Sequence, residues 1–203
     1  MGVSRTSVPY LEFLDCCARH SRIVEGLSAI DIKLQRLVAE LVMMRLFDEL
    51  QEGLSGIATR LACGASYVDG TAPLLLVPAA RSTTGARTLF SELNRTKPVQ
   101  LRWSKVSFIN ETTRYVLDEA DTFRRGCGAH ALVVSEMQAV RNRIAHANRA
   151  SRKAFRVVVR RHYGADLNHV SPGMLLLSPR FTPTLLERYL TSCRVIVRDC
   201  SGG

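Results

Sequence analysis

The chain has 203 residues, of which 46% are hydrophobic and 23% charged, and a net charge of +10. That length and balance suit one domain with a real core and exclude disordered, collagen-like and low-complexity chains. No run of about 18 apolar residues occurs, so no membrane span is expected.

Glu12, Asp15, Arg19 and His20 interrupt the beginning of the chain in the manner of an amphipathic helix, not a secretory signal. Six cysteines (Cys16, Cys17, Cys63, Cys127, Cys193 and Cys200) form no C-x-x-C pair, which argues against a zinc ribbon or a disulfide framework. Together these features predict a cytoplasmic protein with ordinary thiols. The positive charge is mostly arginine, since lysine occurs only at Lys33, Lys97, Lys105 and Lys153. Arginine presents a planar fork of donors suited to phosphate, so a polyanionic partner is favoured over a neutral one.

In chain order, the pattern predicts a short helix over 8–20 and a long one over about 23–61. Ile30, Leu34, Leu37, Leu41, Met44 and Phe47 supply the three-or-four rhythm of the second, and Gly64 its stop. Asp69-Gly70-Thr71-Ala72-Pro73 is a turn, and Leu74–Val77 a strand or buried loop. Further helices are expected over 84–94, 107–124, 130–148 and 151–163, the last with Ser151 as N-cap and Gly164 as stop. A Pro-bounded loop over 171–179 precedes a final helix, for which Thr182-Pro183 supplies an N-cap and a first-turn proline. One all-α domain over 1–203 is the economical reading, with 171–203 as a C-terminal extension packed on it.

The informative stretch is Arg141-Asn142-Arg143-Ile144-Ala145-His146. Arg124 and Arg125 stand at similar spacings from His130, and Arg156 from His162, but only Arg141 is followed by a polar uncharged residue. On an ideal helix, Val133, Met137, Val140, Ile144 and Ala147 make one apolar stripe. Asn142 and His146, four apart, share the opposite face. The structural alternatives are a core histidine and, for Arg141, a surface salt bridge to Glu136 or Asp121.

This hexapeptide resembles the signature of HEPN ribonucleases, an arginine followed by a polar residue and, after four to six intervening residues, a histidine. The softer resemblance takes in 41–75, 103–118 and 172–180, and spans about 30–197. It implies a HEPN-like helical bundle with a long antiparallel helix pair and short extra elements. It also implies a homodimer in which two motifs face one composite cleft, acting in defence or a toxin-like stress response under a possible inhibitor or sensor protein. HEPN toxins regulated by nucleotidyltransferases often carry a tyrosine two residues after the histidine. Asn148 stands there, so that form of control is not implied.

The chemistry of the three residues fits RNA cleavage. RNA carries its own nucleophile, the 2′-hydroxyl, so a cleaving site needs proton transfer and stabilisation of an anionic phosphorane. Histidine, with an ordinary pKa near neutrality, suits the first. A guanidinium suits the second, and asparagine can position either group without adding charge. His146 is thus the candidate general acid or base, Arg141 the transition-state stabiliser and Asn142 the positioning residue. Arg143 and Arg149 are candidates to hold substrate, and no metal or cofactor is required.

Rival chemistries lack their patterns. His162, Asp166 and His169 straddle Gly164 without zinc spacing, Cys127 and His130 are close but a Gly-flanked cysteine beside a helix start reads as incidental, and no P-loop, G-x-G-x-x-G or nucleophile elbow occurs. The remaining alternatives are a non-catalytic HEPN module that binds RNA, a nucleotide or a protein, and a helical scaffold whose basic surface has no such role.

Overall fold

The computed structural model describes residues 6–203, and the described residues form an all-α fold. Helix α1 spans Ser7–Glu25 and α2 spans Ile32–Leu61. A 3-10 turn over Gly26–Ala29 and extended Ile30 separate them, where a continuous helix from 23 is expected. The break has a cause in Asp31, whose carboxylate accepts from the backbone N–H groups of Lys33 (2.9 Å) and Leu34 (3.2 Å) and so starts a new helix. Helix α3 (Thr83–Leu93), α4 (Val106–Thr113) and α5 (Thr122–Ala129) follow.

The helix expected over 107–124 is therefore two. Buried Asp121 divides them: it caps α5 through Phe123 N–H (3.0 Å), accepts from the Tyr67 hydroxyl and holds Leu74 N–H at 2.9 Å. Burial and this acidic partner push the Tyr67 phenol far above its ordinary range. The segment after Leu74 makes one isolated antiparallel bridge, Leu75 to Leu117, and no longer strand.

Helix α2 carries two apolar stripes, and the structure buries the other one. Val42, Met43, Leu46, Phe47, Leu50 and Leu54 are at most 4% exposed, whereas Leu34, Leu37 and Leu41 are 44%, 53% and 57% exposed. Of the rhythm read from the sequence, Phe47 alone belongs to the core cluster of buried residues.

Helix α6 (Ala131–Ala145) and α7 (Arg149–Tyr163) pack on each other, and α6 also packs on α2. The helix expected to run to 148 stops three residues sooner. Asn148, not Ser151, caps α7, accepting from Ser151 N–H at 2.8 Å with its own backbone extended. Two residues, His146 and Ala147, link α6 to that cap, and Ala147 is exposed instead of joining an apolar stripe. Gly164 ends α7 in the left-handed conformation (φ 73°), as its position predicts.

The loop expected over 171–179 contains a short helix, α8 (Pro172–Leu176), capped by Ser171. It lies on α2 because Gly173 has no side chain: a Cβ there would come within 2.7 Å of the Arg36 backbone, and Gly173 N–H donates to Glu40 at 2.8 Å. Helix α9 (Leu185–Ser201) is capped by Thr184, two residues beyond the expected cap Thr182. Thr184 and Glu187 form a reciprocal capping box, and Thr182-Pro183 is a cis peptide outside the helix. Helix α9 packs on α1, α2 and α5, and buries Leu186, Tyr189, Cys193, Ile196 and Val197. No described helix is long and apolar enough to cross a membrane.

Candidate functional site

The three candidate residues lie where α6 meets α7. Arg141 and Asn142 stand near the C-terminal end of α6, and His146 is the residue that caps it. The His146 backbone N–H closes on the Asn142 carbonyl at 2.9 Å, while its φ and ψ (−136°, 122°) are extended. The expectation that Asn142 and His146 share a helical face therefore fails, because the periodicity stops one residue before the histidine. They are joined instead by the capping bond. The Ser151 hydroxyl, on α7, donates to the His146 carbonyl and ties the link to the next helix.

His146 is exposed, so it is not a core histidine. Its imidazole has no hydrogen bond or ion pair with any described residue, and the half-buried side-chain amide of Asn142 is likewise free. Both groups can therefore meet an incoming ligand without giving up a bond.

Arg141 behaves differently. Its Nη2 lies 3.3 Å from Asp48 Oδ1 on α2, its side chain is 26% exposed, and its Nε is buried without a hydrogen-bond partner. Glu136 and Asp121, the partners expected from sequence, are both committed elsewhere. Asp48, 93 residues away in the chain, was not anticipated. The hint in the sequence is an acid in helical register with Leu34, Leu37 and Leu41, two turns beyond the last of them. A guanidinium held by one carboxylate at one nitrogen is oriented yet keeps further donors, the condition for receiving a second anion.

Glu136, on α6, is buried and accepts from Arg161 Nη1, His162 Nε2 and the Tyr189 hydroxyl, each at 2.7 Å. Burial pushes its carboxyl up, but the bonds from His162, Tyr189 and Arg161 outweigh that and leave it below the usual carboxylate range. This cluster locks α6, α7 and α9 together. His162 is thereby engaged by Glu136, and Asp166 stands 3.7 Å from Arg156 and 3.9 Å from Arg160. Among the described residues no group of three His, Cys, Asp or Glu side chains is arranged to hold a metal ion.

Arg143 and Arg149, the candidate substrate holders, belong to the basic flank of the same junction. Arg143 lines a groove of about 390 Å³ with Arg152, Arg156 and Asn168. Arg149 lines a second, of about 650 Å³, along α7. The site thus combines an exposed, unengaged imidazole, a free amide, an anchored guanidinium and a basic border. Compared with known proteins, the chain matches no family model, no curated protein and no solved structure.

Proposed function

We propose that this protein is a metal-independent endoribonuclease of the HEPN type, cleaving RNA by attack of a ribose 2′-hydroxyl on the adjacent phosphate. The observation that carries the proposal is the exposed and unbonded His146 imidazole at the α6–α7 junction, in the same hexapeptide as Asn142 and as Arg141, which is anchored on Asp48. In this reading α2 and α6 form the principal helix pair of the bundle. Arg141 neutralises charge that develops on the phosphorane oxygens. His146 moves a proton, either from the 2′-hydroxyl or to the departing 5′-oxygen. The new bond joins the 2′-oxygen to phosphorus as the 5′-oxygen leaves, giving a 2′,3′-cyclic phosphate and a 5′-hydroxyl.

In-line transfer profits from both a base and an acid, and each chain offers one such histidine. A homodimer supplies the second. The support for it is the exposed stripe of Leu34, Leu37 and Leu41 on α2, which stands in helical register with Asp48. The helix face that anchors Arg141 is thus also an apolar face without a partner, and joining two copies there brings two sites toward one axis. A cellular role in defence or stress, and control by an inhibitor or sensor protein, belong to this same proposal by analogy of fold and motif.

The test is cutting of a structured RNA by chelator-treated protein. Replacing the acid–base group in His146→Ala is expected to slow cutting by about 10² to 10⁴. Arg141→Ala is expected to slow it comparably. Equal cutting by wild type and His146→Ala contradicts the assignment. The engaged state of Arg141 favours one second reading, a non-catalytic HEPN module in which the ion pair with Asp48 is purely structural. RNA binding without cutting would select it.

A further inference from the structure

Helix α7 carries six lysine or arginine residues and no acidic one. Five of them, Arg149, Arg152, Lys153, Arg156 and Arg160, recur at three- and four-residue intervals and fall within roughly 100° of the helix circumference. The opposite side of the helix, Ser151, Phe155, Val158 and Val159, is buried. All five cations are exposed and line the groove of about 650 Å³, whose one acidic lining residue is Asp166. Arg152 and Arg156 also line the adjoining groove of about 390 Å³ with Arg143 of α6.

Such clustering is costly within the protein. Like charges three or four residues apart repel, and Arg149, Arg152 and Lys153 crowd the N-terminal end of α7, where the helix dipole disfavours cations. The Asp166 pairs at 3.7 and 3.9 Å are exposed, so they offset little of this. A polyanion resolves the repulsion that the fold itself leaves standing.

We infer that the α7 rail, extended by Arg143, is a docking track for the phosphate backbone of a single RNA strand. From Arg149 to Arg160 the helix rises about 16 Å, long enough to face several successive phosphates of one strand. Arginine forks and one lysine contact backbone and not base edges, so the track holds a strand without reading its sequence. Its N-terminal end lies three residues beyond His146, so a strand on the rail leads toward the α6–α7 junction. This inference takes its ligand from the ribonuclease reading, but binding and cutting are separable.

The test measures binding of an oligouridylate of about twenty nucleotides by fluorescence anisotropy across roughly 50 to 200 mM salt, in a His146→Ala background. The triple variant Arg152→Gln/Arg156→Gln/Arg160→Gln is expected to weaken binding by about tenfold or more at low salt and to flatten the log–log salt slope by about 2, near 0.7 per lost contact. Removing the acid, Asp166→Asn, is expected to tighten binding severalfold, a gain that misfolding does not imitate. The control Arg81→Gln/Lys97→Gln/Arg114→Gln removes the same charge elsewhere and is expected to bind nearly as the parent. Equal loss in the control and the rail variant, or no change in the rail variant, overturns the inference. So does capture by anionic phospholipid vesicles with no binding of the oligonucleotide. If rail-dependent binding is found but wild type never cuts RNA, the ribonuclease reading fails and the rail stands.

Discussion

Arg141 has two engagements to reconcile: an ion pair with Asp48 in the resting protein and a phosphate in the proposed reaction. At 3.3 Å and with side chains 26% and 38% exposed, the pair is a positioning contact more than a source of stability. Asp48→Asn is therefore expected to lower thermal stability by no more than about 1 kcal/mol. It should reduce kcat for RNA cutting by about tenfold or more while KM changes less, because what is lost is the aim of the guanidinium at the transition state. A purely structural ion pair would give the opposite split, with melting temperature lowered and kcat kept.

The sequence already pointed to Arg141, Asn142 and His146, because the hexapeptide is local and its polar second residue sets it apart from the Arg125 and Arg156 spacings. Asp48 could not be read, since the contact spans 93 positions and depends on how α2 lies against α6. The mode of juxtaposition was also misread. No glycine or proline marks the end of α6, and the stop comes from the Asn148 cap three residues before the serine expected to fill that role.

The elements meet through one polar lock and expose one apolar stripe, and each carries a prediction. Glu136 joins α6 to α7 and α9 through Arg161, His162 and Tyr189. Its folded pKa is depressed, so the stability it contributes is present above the ordinary glutamate pKa and lost as pH falls through the lower folded value. Glu136→Gln is expected to cost about 2 to 3 kcal/mol at neutral pH, and the gap to wild type should narrow in acid when unfolding is followed by circular dichroism.

The α2 stripe is visible in the sequence as a rhythm, but the rhythm does not say that this stripe faces outward. Leu34, Leu37 and Leu41 alternate around the helix with Val42, Met43 and Leu46, and periodicity alone does not say which set faces inward. The double substitution Leu37→Glu/Leu41→Glu places charge where solvent already reaches, so it should leave the fold and melting temperature nearly unchanged. It is expected to convert a dimer to monomer in sedimentation and to abolish cutting with it. A dimer unaffected by this change would place the subunit contact on another face.

Over the whole molecule, charge and greasiness are segregated. The hydrophobic core runs from Phe13 through α2 to Cys200, the leucine stripe occupies the outer face of α2, and the basic rail occupies the outer face of α7. The α6–α7 junction carries His146 at the head of the rail, while Arg141, near the end of α6, ties that helix back to α2. The all-α class was legible from helical periodicity and from caps such as Gly164. Helix breaks set by Asp31, Asp121 and Asn148 were harder, because each depends on a side chain bonding backbone within a few residues, without a composition change to announce it.

In the proposed reaction these groups cleave RNA through its own 2′-hydroxyl. End-group analysis of RNA incubated with purified, chelator-treated wild-type protein tests it most directly. The account predicts fragments ending in 2′,3′-cyclic phosphate with 5′-hydroxyl partners, absent with His146→Ala. Intact RNA, or fragments bearing 5′-phosphates that persist in the His146→Ala protein, would contradict it.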